Sequence, residues 1–198
     1  ETGALRERLT RGDWDVFQLL GIDATGDRLL FVGNENDVLD RQIYARDVKG
    51  DGLRRLTTTG GVHEVAASDP ARGWVDIHSS RTEPPTATVY SGAGEAVGKL
   101  PVSRDEDFDD LQLRAPELVK LEEKGKPTLY GALLKPRRMK PDVRYPVIVM
   151  VYGGPGVQTV KNEWNPRLLW QHLADRGFIV WELDNRGCTG RGHDFEAP

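Results

Sequence analysis

The sequence predicts a chain of two characters: antiparallel sheets of the β-propeller-blade kind first, then the opening of an α/β domain. Three observations carry this. Short strand-like segments recur through the first half; a continuous apolar run, Val147 to Tyr152, ends in glycines; and a helix with both ends marked joins that run to a second one.

The repeat comes first along the chain. Asp23-Ala24-Thr25-Gly26 returns in character as Ser68-Asp69-Pro70-Ala71, the strand from Arg28 to Asn36 as Arg72 to Ser80, Ile43-Tyr44 as Val89-Tyr90, and Leu56 as Leu100. Four short strand candidates per period of about 45 residues is how a propeller blade looks in sequence. A plain antiparallel sheet with coincidental spacing fits the same pattern, because residue identity between the copies is low. Two blades cannot close a ring that typically takes about 4–8 of them, so the chain reads as a piece of a longer protein.

Residues 101–146 connect the two parts. The acidic run Arg104-Asp105-Glu106-Asp107-Phe108-Asp109-Asp110 lacks histidine and ligand-loop spacing, and reads as a solvated linker face rather than a metal site. Pro116 to Leu121 and Leu129 to Leu134 read as a hairpin around Glu123-Lys124-Gly125-Lys126. Lys135 to Lys140, split by Pro136, reads as a solvated turn.

Val147-Ile148-Val149-Met150-Val151-Tyr152 suits a central strand of a parallel sheet covered on both faces. Glycines at its carboxyl end, Gly153-Gly154-Pro155-Gly156, let the backbone turn sharply where open α/β sheets place their chemistry. The same glycines also serve a plain tight turn. Asn165-Pro166 then reads as a helix start and Gly177 as its stop, with Leu168, Leu169, His172 and Leu173 forming the stripe that packs on the sheet. Phe178 to Leu183 is the second buried strand, and it runs into Asp184-Asn185-Arg186-Gly187-Cys188-Thr189-Gly190-Arg191-Gly192.

This set of residues resembles the prolyl oligopeptidase family of serine peptidases, and within it the dipeptidyl peptidase IV branch. The resemblance is carried by Tyr145-Pro146, Val151-Tyr152-Gly153-Gly154-Pro155, the helix end from Gln171 to Gly177, and Asp184-Asn185-Arg186-Gly187 with Gly190-Arg191-Gly192. It implies the last propeller blades over residues 1–105, and over 106–198 a connector and the amino-terminal part of an α/β-hydrolase domain. It implies a peptide substrate, no cofactor, and a parent that forms a homodimer and is periplasmic or secreted rather than cytoplasmic. It implies that Tyr152 lends its hydroxyl to the oxyanion hole, whereas a tyrosine that merely packs beside the turn is the plainer role. Asp184 and Arg186 are expected to pair and brace the loop.

By the same resemblance the reaction is release of dipeptides from peptide amino ends, with Pro or Ala before the scissile bond. An acylaminoacyl peptidase or oligopeptidase of the family, or a non-catalytic relative used for binding, remains open. An α/β-hydrolase carries its serine in a Gly-x-Ser-x-Gly elbow followed by the acid and the histidine. The sequence has no such pentapeptide, and Ser79, Ser80, Ser91 and Ser103 all precede the α/β strands. The triad is therefore expected beyond Pro198, and the paired glutamates that hold the substrate amine are expected upstream; Glu122-Glu123 sits in the wrong place to replace them. The 198 residues are expected to be inactive alone.

Composition excludes little more. A net charge of −4 with no basic face gives no footprint for nucleic acid, and no apolar run spans a bilayer. Cys188 stands without an elbow or a partner thiol and reads as a small residue rather than a nucleophile. His63, His78, His172 and His193 show no metal-ligand spacing, so no metal is expected.

Overall fold

A computed structural model describes residues 3–5, 7–68, 70–103 and 107–197. Three four-stranded sheets follow one another along the chain.

The first is an antiparallel meander of β1 (Val16–Ile22), β2 (Arg28–Gly33), β3 (Gln42–Asp47) and β4 (Leu53–Arg55). The second repeats it with β5 (Val62–Ala67), β6 (Gly73–Ser79), β7 (Thr86–Ser91) and β8 (Ala96–Leu100). Side-chain alternation explains how the sheets stack. On β2 and β3, Leu30, Val32, Ile43 and Ala45 face Val65, Ala71 and Trp74 of the second sheet and form one core. Phe31 and Tyr44 point the other way and stack on Trp14, with ring centroids 5.6 to 6.1 Å apart. The strands β2 and β3 are consequently buried on both faces, as inner strands of a layered stack are. Asp23 bridges Ala71 and Arg41 bridges Val62, each in parallel fashion, where one sheet passes to the next. The repeat seen in the sequence is thus a pair of propeller blades. The expected domain boundary at 105/106 and the acidic run from Arg104 fall partly outside the described residues; the run's last four residues form a single helical turn, α1 (Asp107–Asp110).

The third sheet is mixed. β9 (Glu117–Leu121) and β10 (Leu129–Leu134) form the expected hairpin. β12 (Ile179–Asp184) pairs antiparallel to β10 and parallel to β11 (Val147–Met150), giving the order β11-β12-β10-β9. α2 (Leu168–Asp175) makes the crossover between the two parallel strands. The second core gathers Ala132, Leu134, Trp170, Ala174 and Val180 around this helix, with Val160 and with Leu39 reaching in from the first blade.

Two sequence expectations fail here. β11 is an edge strand, not a central one: Val147 and Val149 are 55 % and 57 % exposed, because α2 packs on β12 and β10 instead. A continuous apolar run specifies a hydrophobic strand but not its place in the sheet. The helix also starts later and turns a different face inward. Leu168, Leu169 and His172 are exposed, while Trp170, Gln171 and Ala174 are buried and Leu173 is half-buried. The cause is Arg167, held in the left-handed region at φ 43°, which leaves Asn165 and Pro166 outside the helix. Its guanidinium pairs with Glu182 on β12 at 2.9 Å, donates to the Thr159 carbonyl at 3.0 Å and lies over the Trp170 ring. Burial raises the Glu182 carboxyl above its ordinary range, and Arg167 pulls it the other way. At the far end the Gly177 stop holds. Gly177 N–H donates to Ala174 O and Phe178 N–H to Leu173 O, at 3.0 and 3.1 Å, the two bonds of a Schellman cap with Gly177 at φ 91°.

Candidate active-site edge

Because β11 and β12 run parallel, both deliver their carboxyl ends to one edge of the sheet, and the loops that follow lie side by side. Gly156 N–H donates to Gly187 O at 3.0 Å and ties the two loops together. Gly153 and Gly156 take positive φ values of 74° and 76°, which a side chain would strain.

Tyr152 opens the first loop and is 59 % exposed. Its ring lies over Gly154, where an added Cβ would stand 3.0 Å from Tyr152 Cε1, so the glycine makes room for it. Among the described residues its hydroxyl has no hydrogen-bond partner. A phenol just past the carboxyl end of a strand, with no partner for its hydroxyl among the described residues, is a donor available to an oxygen arriving from outside.

Asp184 ends β12 and is buried. It does not pair with Arg186. Its Oδ1 accepts from the backbone N–H of Thr159 at 2.9 Å and from the Thr159 hydroxyl at 2.8 Å, and its Oδ2 accepts from Val160 N–H at 3.0 Å. Arg186 is exposed and donates to Asp194 O instead, at 2.9 Å, in the turn next to the short helix α3 (His193–Glu196). The expected Asp184–Arg186 pair is therefore absent: two backbone N–H groups and the Thr159 hydroxyl satisfy the carboxylate in its place.

The first blade reaches into the same edge, through contacts the sequence did not reveal. Asn34 Nδ2 donates to Gly190 O at 2.6 Å, and Asp15 accepts from Gly190 N–H and Gly192 N–H. Asn162 Nδ2 donates to Asp40 Oδ1 at 3.0 Å, and Arg41 donates to Gln158 Oε1. Arg41 also lies 3.6 Å over the Phe17 ring. Burial pushes its guanidinium down to about 10, against the opposing pull of Glu163, Asp15, Asp40 and Asp184, so it stays charged at neutral pH. The sequence signal for the contacts between the blade and this edge was only a scatter of polar residues, since the partners of Asn34, Asp15, Asp40 and Arg41 there lie more than a hundred residues away.

Cys188 lies in the second loop and is buried; desolvation pushes its thiol up to about 11, away from a nucleophile's range. Of the histidines, His63 is buried against Asp76, with Nδ1 2.8 Å from Oδ2, and the His78 ring lies tilted beside it, centroids 4.6 Å apart. No helix among the described residues is long and apolar enough to cross a membrane.

Residues 1–85 match the family described as the dipeptidyl peptidase IV N-terminal region. Dipeptidyl peptidase 8 of Mus musculus and of Homo sapiens are each 28% identical over 205 residues, covering 96% of the chain and 23% of the relative. The probable dipeptidyl-aminopeptidase B of Emericella nidulans is 29% identical over 187 residues, or 90% of the chain and 20% of the relative. The crystal structure of Porphyromonas gingivalis dipeptidyl peptidase 4 superposes with a TM-score of 0.86 at 25% identity, over 98% of this chain and 28% of that one. The chain thus spans about a quarter of the length of the proteins it matches.

Proposed function

We propose, from the premise that the chain is a dipeptidyl peptidase IV-like segment of a prolyl oligopeptidase-family protein, that the whole protein is a serine exopeptidase. It releases dipeptides from peptide amino ends, with Pro or Ala before the scissile bond, through an acyl-enzyme. Residues 106–198 supply the connector and the opening of the α/β-hydrolase domain, and the two blades end the propeller that precedes it.

The observation that carries this reading is Tyr152, exposed just past the carboxyl end of a strand with no partner for its hydroxyl among the described residues. When a nucleophile attacks the peptide carbonyl, negative charge gathers on the carbonyl oxygen, and a donor fixed beforehand at that point lowers the barrier. The loop is suited to hold such a donor still. Gly156 is tied to Gly187, and Asp184 pins Thr159 and Val160 behind it, so little ordering remains for the moment of reaction.

Hydrolysis of a chromogenic Gly-Pro amide and labelling by a fluorophosphonate test the reading. The full-length protein turns over the amide and is labelled at a serine outside residues 1–198. A full-length protein that does neither overturns it, and favours a non-catalytic relative.

A further inference from the structure

The loop that carries Tyr152 is fixed toward its far end rather than along its length. Residues 151–157 are exposed, apart from half-buried Gly154, and Gln158 is the first buried residue after β11. Gly156, Val157 and Gln158 line a cavity of about 480 Å³ together with Phe17 and Val65 of the blades, so that side of the loop is open space and not packed core. Besides the bond from Gly156 to Gly187, what locates the loop is therefore the way Gln158 is held.

Both polar ends of the Gln158 amide are engaged. Its Nε2 donates to Val38 O and to Val160 O, each at 3.0 Å, and its Oε1 accepts from Arg41 Nη2. The Gly190 turn of the neighbouring loop closes on the same amide: a Cβ built on Gly190 would stand 2.5 Å from Gln158 Oε1, so the approach needs a residue without a side chain.

Val38 and Arg41 belong to one short segment of the first blade, and that segment is anchored from two sides. Arg41 N–H donates to Gly61 O and Arg41 O accepts from His63 N–H, both at 3.0 Å, which ties the segment to the second blade. Leu39 is buried in the core around α2, and its carbonyl accepts from Asn162 N–H at 2.9 Å. The Arg41 guanidinium is aimed by the carbonyls of Val38 and Asp40, at 3.4 and 2.7 Å, and by the Phe17 ring. A planar fork reaches these carbonyls and the Gln158 amide at once, which the point charge of a lysine does not. The Tyr152 loop thus takes its position from the junction of the two blades as well as from the sheet that bears it.

We propose that Arg41 and Gln158 are positioning residues for the peptidase reaction: the pair sets where the Tyr152 loop stands. The proposal rests on the reading that Tyr152 donates to the oxyanion, and a donor that acts in the transition state makes slack in its loop appear in kcat rather than in KM. Hydrogen–deuterium exchange and steady-state kinetics on the full-length protein test it. Arg41→Met keeps the length of the side chain and removes the fork. The peptide spanning residues 152–160, whose Gly156, Thr159 and Val160 amides are hydrogen-bonded, then exchanges about fivefold faster, the worth of one hydrogen bond. With the Gly-Pro amide kcat falls about ten- to a hundredfold at unchanged KM, as displacement of a catalytic group does. In the Tyr152→Phe background the same substitution changes kcat by less than about twofold, because the donor it would misplace is already gone. Arg41→Lys, which keeps the buried charge, moves both readouts in the same direction by less. Gly177→Ala, at the far end of α2, lowers stability and leaves both unchanged. Unchanged exchange in both Arg41 variants overturns the grip, whether or not the protein is a peptidase. Faster exchange with normal kcat, or with losses that simply add to those of Tyr152→Phe, overturns the positioning role. A wild-type protein that leaves the amide intact overturns the peptidase reading, and the role in turnover with it.

Discussion

Tyr152 and phenylalanine differ by one oxygen, so Tyr152→Phe isolates the donor from the ring that lies over Gly154. In the full-length protein kcat falls by about 10²–10³, the cost of losing one oxyanion donor, while KM and Tm hold. A kcat within about threefold of wild type would remove the hydroxyl from the mechanism. Cys188 offers a second measurement. Burial raises its thiol from 9.0 to about 11, so the stability tied to its protonated form is present below pH 9 and lost as pH rises through about 11. At pH 8, alkylation by iodoacetamide is slower in the folded protein by about a hundredfold, the ratio of thiolate that such a shift leaves. Equal rates in folded and denatured protein would show an accessible, ordinary thiol. The position of Tyr152, exposed at the head of a glycine-rich loop after β11, was legible in sequence because an apolar run ending in glycines is a local pattern. The partners of Asp184 were not, because they are backbone N–H groups that arrive from residues 159 and 160 only once the chain has folded.

The Schellman cap makes the end of α2 testable. Nothing lies within 4 Å of a Cβ built on Gly177, so Gly177→Ala costs only the left-handed conformation, about 1–2 kcal/mol, read as a fall in the denaturation midpoint. Asp184→Ala removes the acceptor of three hydrogen bonds behind the Tyr152 loop. It costs more, about 2–4 kcal/mol, and Asp184→Asn, which keeps one oxygen, costs less. Equal effects from the two Asp184 variants would mean that the bonds to Thr159 and Val160 contribute nothing. The stop of α2 was readable because glycine past a helix end is a conformational demand of the backbone itself. Its start and inward face were not, because they depend on Arg167 meeting Glu182, a contact across fifteen positions that no periodicity records. The edge position of β11 escaped for a similar reason: pairing order is decided by which strands the helix covers.

The blade repeat was the most legible feature of the molecule, since each blade is built from neighbours in sequence and writes its period into the chain. The mixed sheet is different. Val147, Val149 and Val151 leave an apolar edge strand uncovered, and Leu168 and Leu169 leave an apolar helix face exposed. The 198 residues prepared alone therefore associate into dimers and larger species, as an uncapped hydrophobic strand edge does. Sedimentation velocity shows this, and a single monomeric species with one sharp, reversible melting transition would contradict it. The same preparation does not hydrolyse the Gly-Pro amide, and stoichiometric fluorophosphonate labelling of any residue in it would place the nucleophile inside this chain.

The grip of the first blade on the Gly190 turn sets an order of events. Asn34 and Asp15 hold a turn that lies 156 and 175 positions further along the chain. On a ribosome the blade residues emerge long before that turn exists, and contacts of such sequence separation form late. The loop beside Tyr152 can thus reach its final shape only after both regions have been synthesised and have met. A chain interrupted before Gly190 carries the tyrosine loop without this grip of the first blade.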